Sequence, residues 1–110
     1  MSVTLSARLP DDERNGIGAI SAALCEDPEK THVIVAVVDC SRITTKIDTG
    51  DVIPTARIRA IEAFEGHTAD AKELSRLLRR QIERRTGKVE LPLDMERAID
   101  SITVSDEPEQ

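Results

Sequence analysis

The chain contains no tryptophan and no tyrosine, and Phe64 is its only aromatic residue. Val, Ile, Leu and Ala suffice to build a core. Stacking platforms for nucleic-acid bases, and the anchors that dominate many binding interfaces, need aromatic side chains. Cysteine is sparse as well. Cys25 and Cys40 follow no spacing pattern, so a disulfide framework is excluded and two reduced thiols are expected. No apolar run approaches the roughly 20 residues of a membrane-spanning helix. The opening Ser2-Val3-Thr4-Leu5 is not a basic segment followed by a long apolar stretch, so no export leader is expected. The expected setting is the cytoplasm, with no membrane partner.

What is present is ordinary for a globular protein: 110 residues, 39% hydrophobic and 33% charged. That length fits one domain, expected over 2–103, which folds alone but has little room for a deep active-site cavity. The net charge of −6 is unevenly spread. Residues 1–51 carry nine acids and five bases, residues 52–88 nine bases and five acids, and residues 89–110 seven acids and one base. A basic middle flanked by acidic ends suits either intramolecular screening or a bipolar surface that pairs with its own copy.

Val3, Leu5, Ala7 and Leu9 alternate with polar residues at the period of a half-buried strand. Ile17, Ile20 and Leu24 recur at helical spacing, with Gly16 and Gly18 marking a late start near Asn15 and Asp27-Pro28 a stop. Thr31-His32-Val33-Ile34-Val35-Ala36-Val37-Val38-Asp39-Cys40 is apolar on both sides of the pleat, the pattern of a strand at the centre of a sheet. Asp48-Thr49-Gly50-Asp51 reads as a turn with Gly50 at positive φ, and Val52–Phe64 as a third strand. Pro54 places the start of that strand at an edge or bulge. Thr68 or Asp70 caps a helix running from Ala69 to Arg85 over the stripe Leu74, Leu77, Leu78 and Ile82, with Gly87 as its stop. Leu91-Pro92-Leu93 forms an extended clip, and Met95, Ile99 and Ile102 one face of a short terminal helix. Residues 104–110 are expected to be a disordered acidic tail.

The expected fold is therefore α+β: a small β-α-β-β-α sandwich, with a mixed three-stranded sheet, two helices on one face and a short C-terminal helix. The first crossover would make strands one and two parallel, and the hairpin would make strands two and three antiparallel. Two helices cannot cover both faces of so apolar a central strand. A long loop, the Leu-Pro-Leu clip or a second subunit must cover the other, and a homodimer is the expectation.

Candidate chemistry is thin. Asp48-Thr49-Gly50 matches the tripeptide of retroviral-type aspartic proteases, whose paired carboxylates need two such loops at a dimer axis. Those proteases are nearly all β, and an Asx turn accounts for the three residues here. Cys25, Cys40, His32 and His67 lack the short paired spacing of a zinc site. Gly16-Ile17-Gly18 lacks the third glycine of a dinucleotide fingerprint. No catalytic, cofactor-binding or metal-ligating residue is assigned, no cofactor is expected, and an enzyme is not. The arginines carry more weight: Arg76, Arg79, Arg80 and Arg84 share the polar face of the long helix, and Arg57 and Arg59 project from the third strand. These six form the candidate interaction surface.

The stretch VIVAVVDCSRITTKIDTGDVIPTARIRAIEAF (Val33–Phe64), followed by ERRTGKVELPLD (Glu83–Asp94), resembles small uncharacterised proteins encoded by actinobacteriophages or their prophages. The resemblance spans most of the chain and carries no active site to transfer. It implies a phage-type protein acting in the bacterial cytoplasm that binds a host or phage protein. A nucleic-acid replication or recombination accessory using the Arg-rich helix is the alternative.

Overall fold

The computed structural model describes residues 2–102. It is a mixed α/β fold with an open four-stranded sheet and three α-helices among the described residues: β1 (Thr4–Leu5), β2 (Asn15–Gly16), α1 (Ser21–Glu26), β3 (Val33–Thr45), β4 (Val52–Phe64), α2 (Ala69–Thr86) and α3 (Leu93–Asp100). Short 3-10 turns occupy Asp12–Arg14 and Ile17–Ile20. The acidic tail expected at 104–110 lies outside the described residues. The chain divides into two compact units. The first holds residues up to Gly18 and Ile34–Glu62, the second Ala19–Val33 and the residues from Ala63 onward.

In the first unit β4 organises the sheet. β3 and β4 are joined by the turn at Lys46–Asp51, where Gly50 N–H donates to Lys46 O (2.7 Å) and Lys46 N–H to Asp51 O (2.8 Å). So short a connection makes the pair an antiparallel hairpin, and Gly50 takes the expected positive φ. β1 pairs with β4 in parallel, Thr4 opposite Thr55 and Leu5 opposite Ala56. β2 also pairs in parallel, Asn15 opposite Ile61 and Gly16 opposite Glu62. A strand has two edges. β3 occupies one, so β1 and β2 share the other at successive positions along β4. Ile58 and Ile61 are buried there and sit on opposite faces of the strand.

This pairing corrects the expected topology. The amino-terminal strand runs parallel to β4 and so antiparallel to β3 rather than parallel to it, β3 is an edge strand instead of the central one, and the sheet has four strands rather than three. The strand expected from Val3 to Leu9 also shortens to Thr4–Leu5. Ser6 N–H still donates to Ala56 O (2.9 Å), but the Ser6 hydroxyl then accepts from Arg8 N–H (3.2 Å). A side chain that captures a nearby amide competes with the ladder. The first helix starts later than expected, because Gly16 joins the sheet and residues 17–20 coil as a 3-10 turn before α1.

In the second unit α2 matches the expected helix within a residue. The Thr68 side chain caps it by accepting from Ala71 N–H (3.1 Å), and Gly87 ends it in the left-handed region at φ 72°. Its buried face differs from the expected leucine stripe. Ala71 and Ser75 are the buried positions, while Leu77 and Leu78 are each 48% exposed. Small residues one turn apart allow close backbone approach, which moves the buried line away from the leucines. α3 appears where Met95 and Ile99 suggest it, and the segment joining α1 to β3 is fastened to it: Thr31 Oγ1 donates to Ala98 O (2.8 Å) and contacts Ser101 Oγ. Gly66 N–H donates to His32 Nδ1 (2.9 Å). Ile20 and Ile102 complete this unit's buried residues.

Candidate functional site

The apolar run that dominates the sequence is laid open to solvent. Ile34, Val35, Val37, Val38 and Ile43 on β3, with Val52 on β4, are between 40% and 65% exposed. Val35 and Val37 lie on one face of the pleat, Ile34 and Val38 on the other. β3 is 13 residues long, contains no proline or glycine, and carries no charge before Asp39. Its outer backbone edge has no partner strand among the described residues. Proteins usually protect such edges with bulges, prolines or inward-pointing lysines. None interrupts Val33–Val38. Both cysteines are exposed, so Cys40 does not pack as a core residue, and its thiol donates to Arg42 O (3.2 Å).

The predicted arginines fall into two sets. Arg57 and Arg59, in the first unit, converge on Asp39. Arg57 grips it with two parallel bonds, Nε to Oδ1 (3.0 Å) and Nη2 to Oδ2 (2.9 Å), and Arg59 Nη1 stands 3.7 Å from Oδ2. The hydrogen bond from Arg57, reinforced by both positive charges, holds the Asp39 carboxyl below the usual carboxylate range. Arg57 and Arg59 also line an open cleft of about 480 Å³ with Ser6, Arg8, Arg14 and Ser41. Arg8 and Arg14 form no ion pair among the described residues. They are the residues sequence reasoning missed. Separated by Pro10-Asp11-Asp12, they carry no pattern that announces a site.

Arg76, Arg79, Arg80 and Arg84 stand on α2 in the second unit. Three of the four are occupied. Arg76 pairs with Glu73 (3.3 Å), and Arg84 bonds the Gln81 amide oxygen (3.4 Å). Arg79 bridges Glu83 (3.4 Å) and Glu96 of α3 (2.5 Å), and the bond to Glu96 raises its pKa above the ordinary guanidinium value. Arg79 is thus a link between α2 and α3. Arg80 is exposed and has no ion-pair partner among the described residues.

The described residues contain no cluster of three or more His, Cys, Asp or Glu side chains able to hold a metal ion, and no helix long and apolar enough to cross a membrane. Asp48 lies in the exposed hairpin turn, where the side-chain bond is made by Thr49, whose Oγ1 accepts from Asp51 N–H (3.2 Å). No family model matches the chain, and no curated protein or solved structure matches it.

Proposed function

We propose that this protein is a non-enzymatic interaction module that works as a homodimer, its β3 edge completed by the β3 strand of a second copy. One observation carries the reading: a 13-residue edge strand exposes an apolar run on both faces and along a backbone edge unpaired among the described residues. The exposed aliphatic side chains of the hairpin are consecutive along the strand rather than scattered singly, the arrangement that marks an interaction surface.

A second copy fits because the run is complementary to itself. A two-fold axis through Ala36 sets Ile34 opposite Val38 of the second copy and Val35 opposite its Val37. The smallest side chain then sits on the axis, opposite its own copy. Asp39 falls opposite Val33 of the second copy, well clear of the other Asp39, so no like charges face each other. Beyond the dimer, the partner class is a host or phage protein in the bacterial cytoplasm, as the resemblance of Val33–Phe64 and Glu83–Asp94 implies.

Sedimentation equilibrium tests the dimer. The wild-type protein is expected at twice its 12.1 kDa chain mass. Val37→Lys is expected to weaken association about tenfold, because the two Val35–Val37 cross-strand contacts, each contributing about 0.2–1 kcal/mol, are lost together. A wild-type protein that stays monomeric at high micromolar concentration overturns the reading.

Arg80, exposed and without an ion-pair partner among the described residues, and the neighbouring Arg84 and Arg85 favour a second reading, a nucleic-acid accessory that uses α2. It predicts duplex binding that falls steeply with salt and is lost in Arg80→Glu.

A further inference from the structure

We infer that the cleft of the first unit is a binding site for a phosphate-bearing small molecule, recognised through a phosphate dianion or a pyrophosphate group. Its lining brings together Arg8 and Arg14 from the amino-terminal segment and Arg57 and Arg59 from β4, with the hydroxyls of Ser6 and Ser41. In a chain of net charge −6, four guanidinium groups meet in one cleft against the carboxylates of Asp11 and Asp39, a local net charge of +2. That charge matches a phosphate monoester above its second pKa of about 6.

Most of these donors are free, although the Ser41 hydroxyl donates to Thr55 O (3.4 Å). Arg57 commits Nε–H and one Nη2–H to Asp39 and keeps its other three N–H groups. Asp39 holds Arg57 and Arg59 side by side, which lowers the entropy lost when a ligand engages both. Arg8 and Arg14 have no ion-pair partner among the described residues. The Ser6 oxygen accepts from Arg8 N–H, so its own O–H remains to donate. Asp12, on the loop between Arg8 and Arg14, sits at φ 56°, the only non-glycine residue with positive φ among the described residues. That strained turn carries the chain from Arg8 back to Arg14 on the same cleft.

The lining also says what is not gripped. It contains no aromatic side chain, and its apolar share is Leu9, Pro10 and Ile58. A base has nothing to stack on, so the phosphate is the recognised element and the rest of the ligand is held loosely. A volume of about 480 Å³ admits a molecule of sugar-phosphate size.

Isothermal titration of the full chain with inorganic pyrophosphate and with glucose 6-phosphate tests the site. Both are expected to bind, and the sugar phosphate to bind less tightly as pH falls below about 6, where its dianion is lost. Arg8→Gln and Arg14→Gln are each expected to weaken binding about tenfold or more. Both side chains are exposed, so the melting temperature should stay at the wild-type value and a folding defect is distinguishable. Arg80→Gln, on α2, is expected to leave binding unchanged. No heat with either probe at millimolar concentration overturns the inference, as does equal binding by Arg8→Gln and Arg14→Gln. Binding of a short single-stranded oligonucleotide with neither small probe bound also overturns it, assigning the arginines to a nucleic-acid backbone instead.

Discussion

Replacing Gly66 by alanine tests how tightly the second unit is closed around the start of β3. A Cβ on Gly66 would stand 2.1 Å from the Thr31 carbonyl oxygen, against an ordinary contact of 3.4 Å or more. Relief demands a backbone movement above 1 Å, because the obstacle is a main-chain oxygen and not the end of a flexible side chain. Two interactions travel with it: the Gly66 N–H bond to His32 Nδ1 and the Thr31 hydroxyl bond to Ala98 O. Overpacking of this kind costs about 1–3 kcal/mol. A weakened hydrogen bond adds about 0.5–1.5 kcal/mol. The expected loss is therefore about 2–4 kcal/mol, a fall in melting temperature of roughly 10–20 °C for a chain of this size. The matched control is Gly18→Ala, where an added Cβ meets nothing within 4 Å, and its expected change is within about 0.5 kcal/mol. Thermal melts followed by circular dichroism compare the two. A Gly66→Ala protein that melts with the wild type refutes the close approach and the bond to His32.

Three further outcomes follow from the same geometry. Thr68→Ala removes the side-chain acceptor for Ala71 N–H and is expected to destabilise the protein by about 1 kcal/mol, read from urea unfolding. Asp39 has a folded pKa below its unfolded value, so its contribution is present above about pH 4 and disappears as pH falls through the lowered value. Asp39→Asn is accordingly expected to melt below the wild type at pH 7, with the gap closing toward pH 2 and shrinking in high salt. Arg79→Ala breaks the bridge from α2 to Glu96 of α3, and amide exchange in Leu93–Asp100 is expected to speed up more than in β3.

Local signals read cleanly where a single residue type decides the conformation. Gly50 closes the hairpin, and Thr68 and Gly87 bound α2. Val52–Phe64 forms one uninterrupted strand as its pattern suggests. Strand neighbours are another matter, since they depend on which distant segment reaches an edge first. Nothing in Val3–Leu9 states that it pairs with Thr55 and Ala56 rather than with the apolar run. Two-sided apolarity in Val33–Val38 signals a need for cover, and it does not say whether the cover is part of the same chain. The arginines illustrate the same limit. Six were legible as a basic surface, with Glu73 and Glu83 within helical reach of Arg76 and Arg79, but Asp39 and Glu96 were not legible as partners, because they are distant in sequence. Arg8 and Arg14 gain meaning only when the fold sets them beside Arg57 and Arg59.

The most direct test of the edge pairing is a cross-link at its proposed centre. With Cys25 and Cys40 replaced by serine, Ala36→Cys places one thiol per chain at the two-fold axis, where paired antiparallel strands bring Cα atoms about 4.5–5.5 Å apart, within disulfide range. Mild oxidation is expected to yield a covalent dimer on a non-reducing gel. The wild-type chain, whose Cys40 would lie roughly 26 Å from its counterpart at about 3.3 Å per residue, is expected to stay uncross-linked. An Ala36→Cys protein that remains monomeric, or a wild type that cross-links through Cys40 just as readily, contradicts the account.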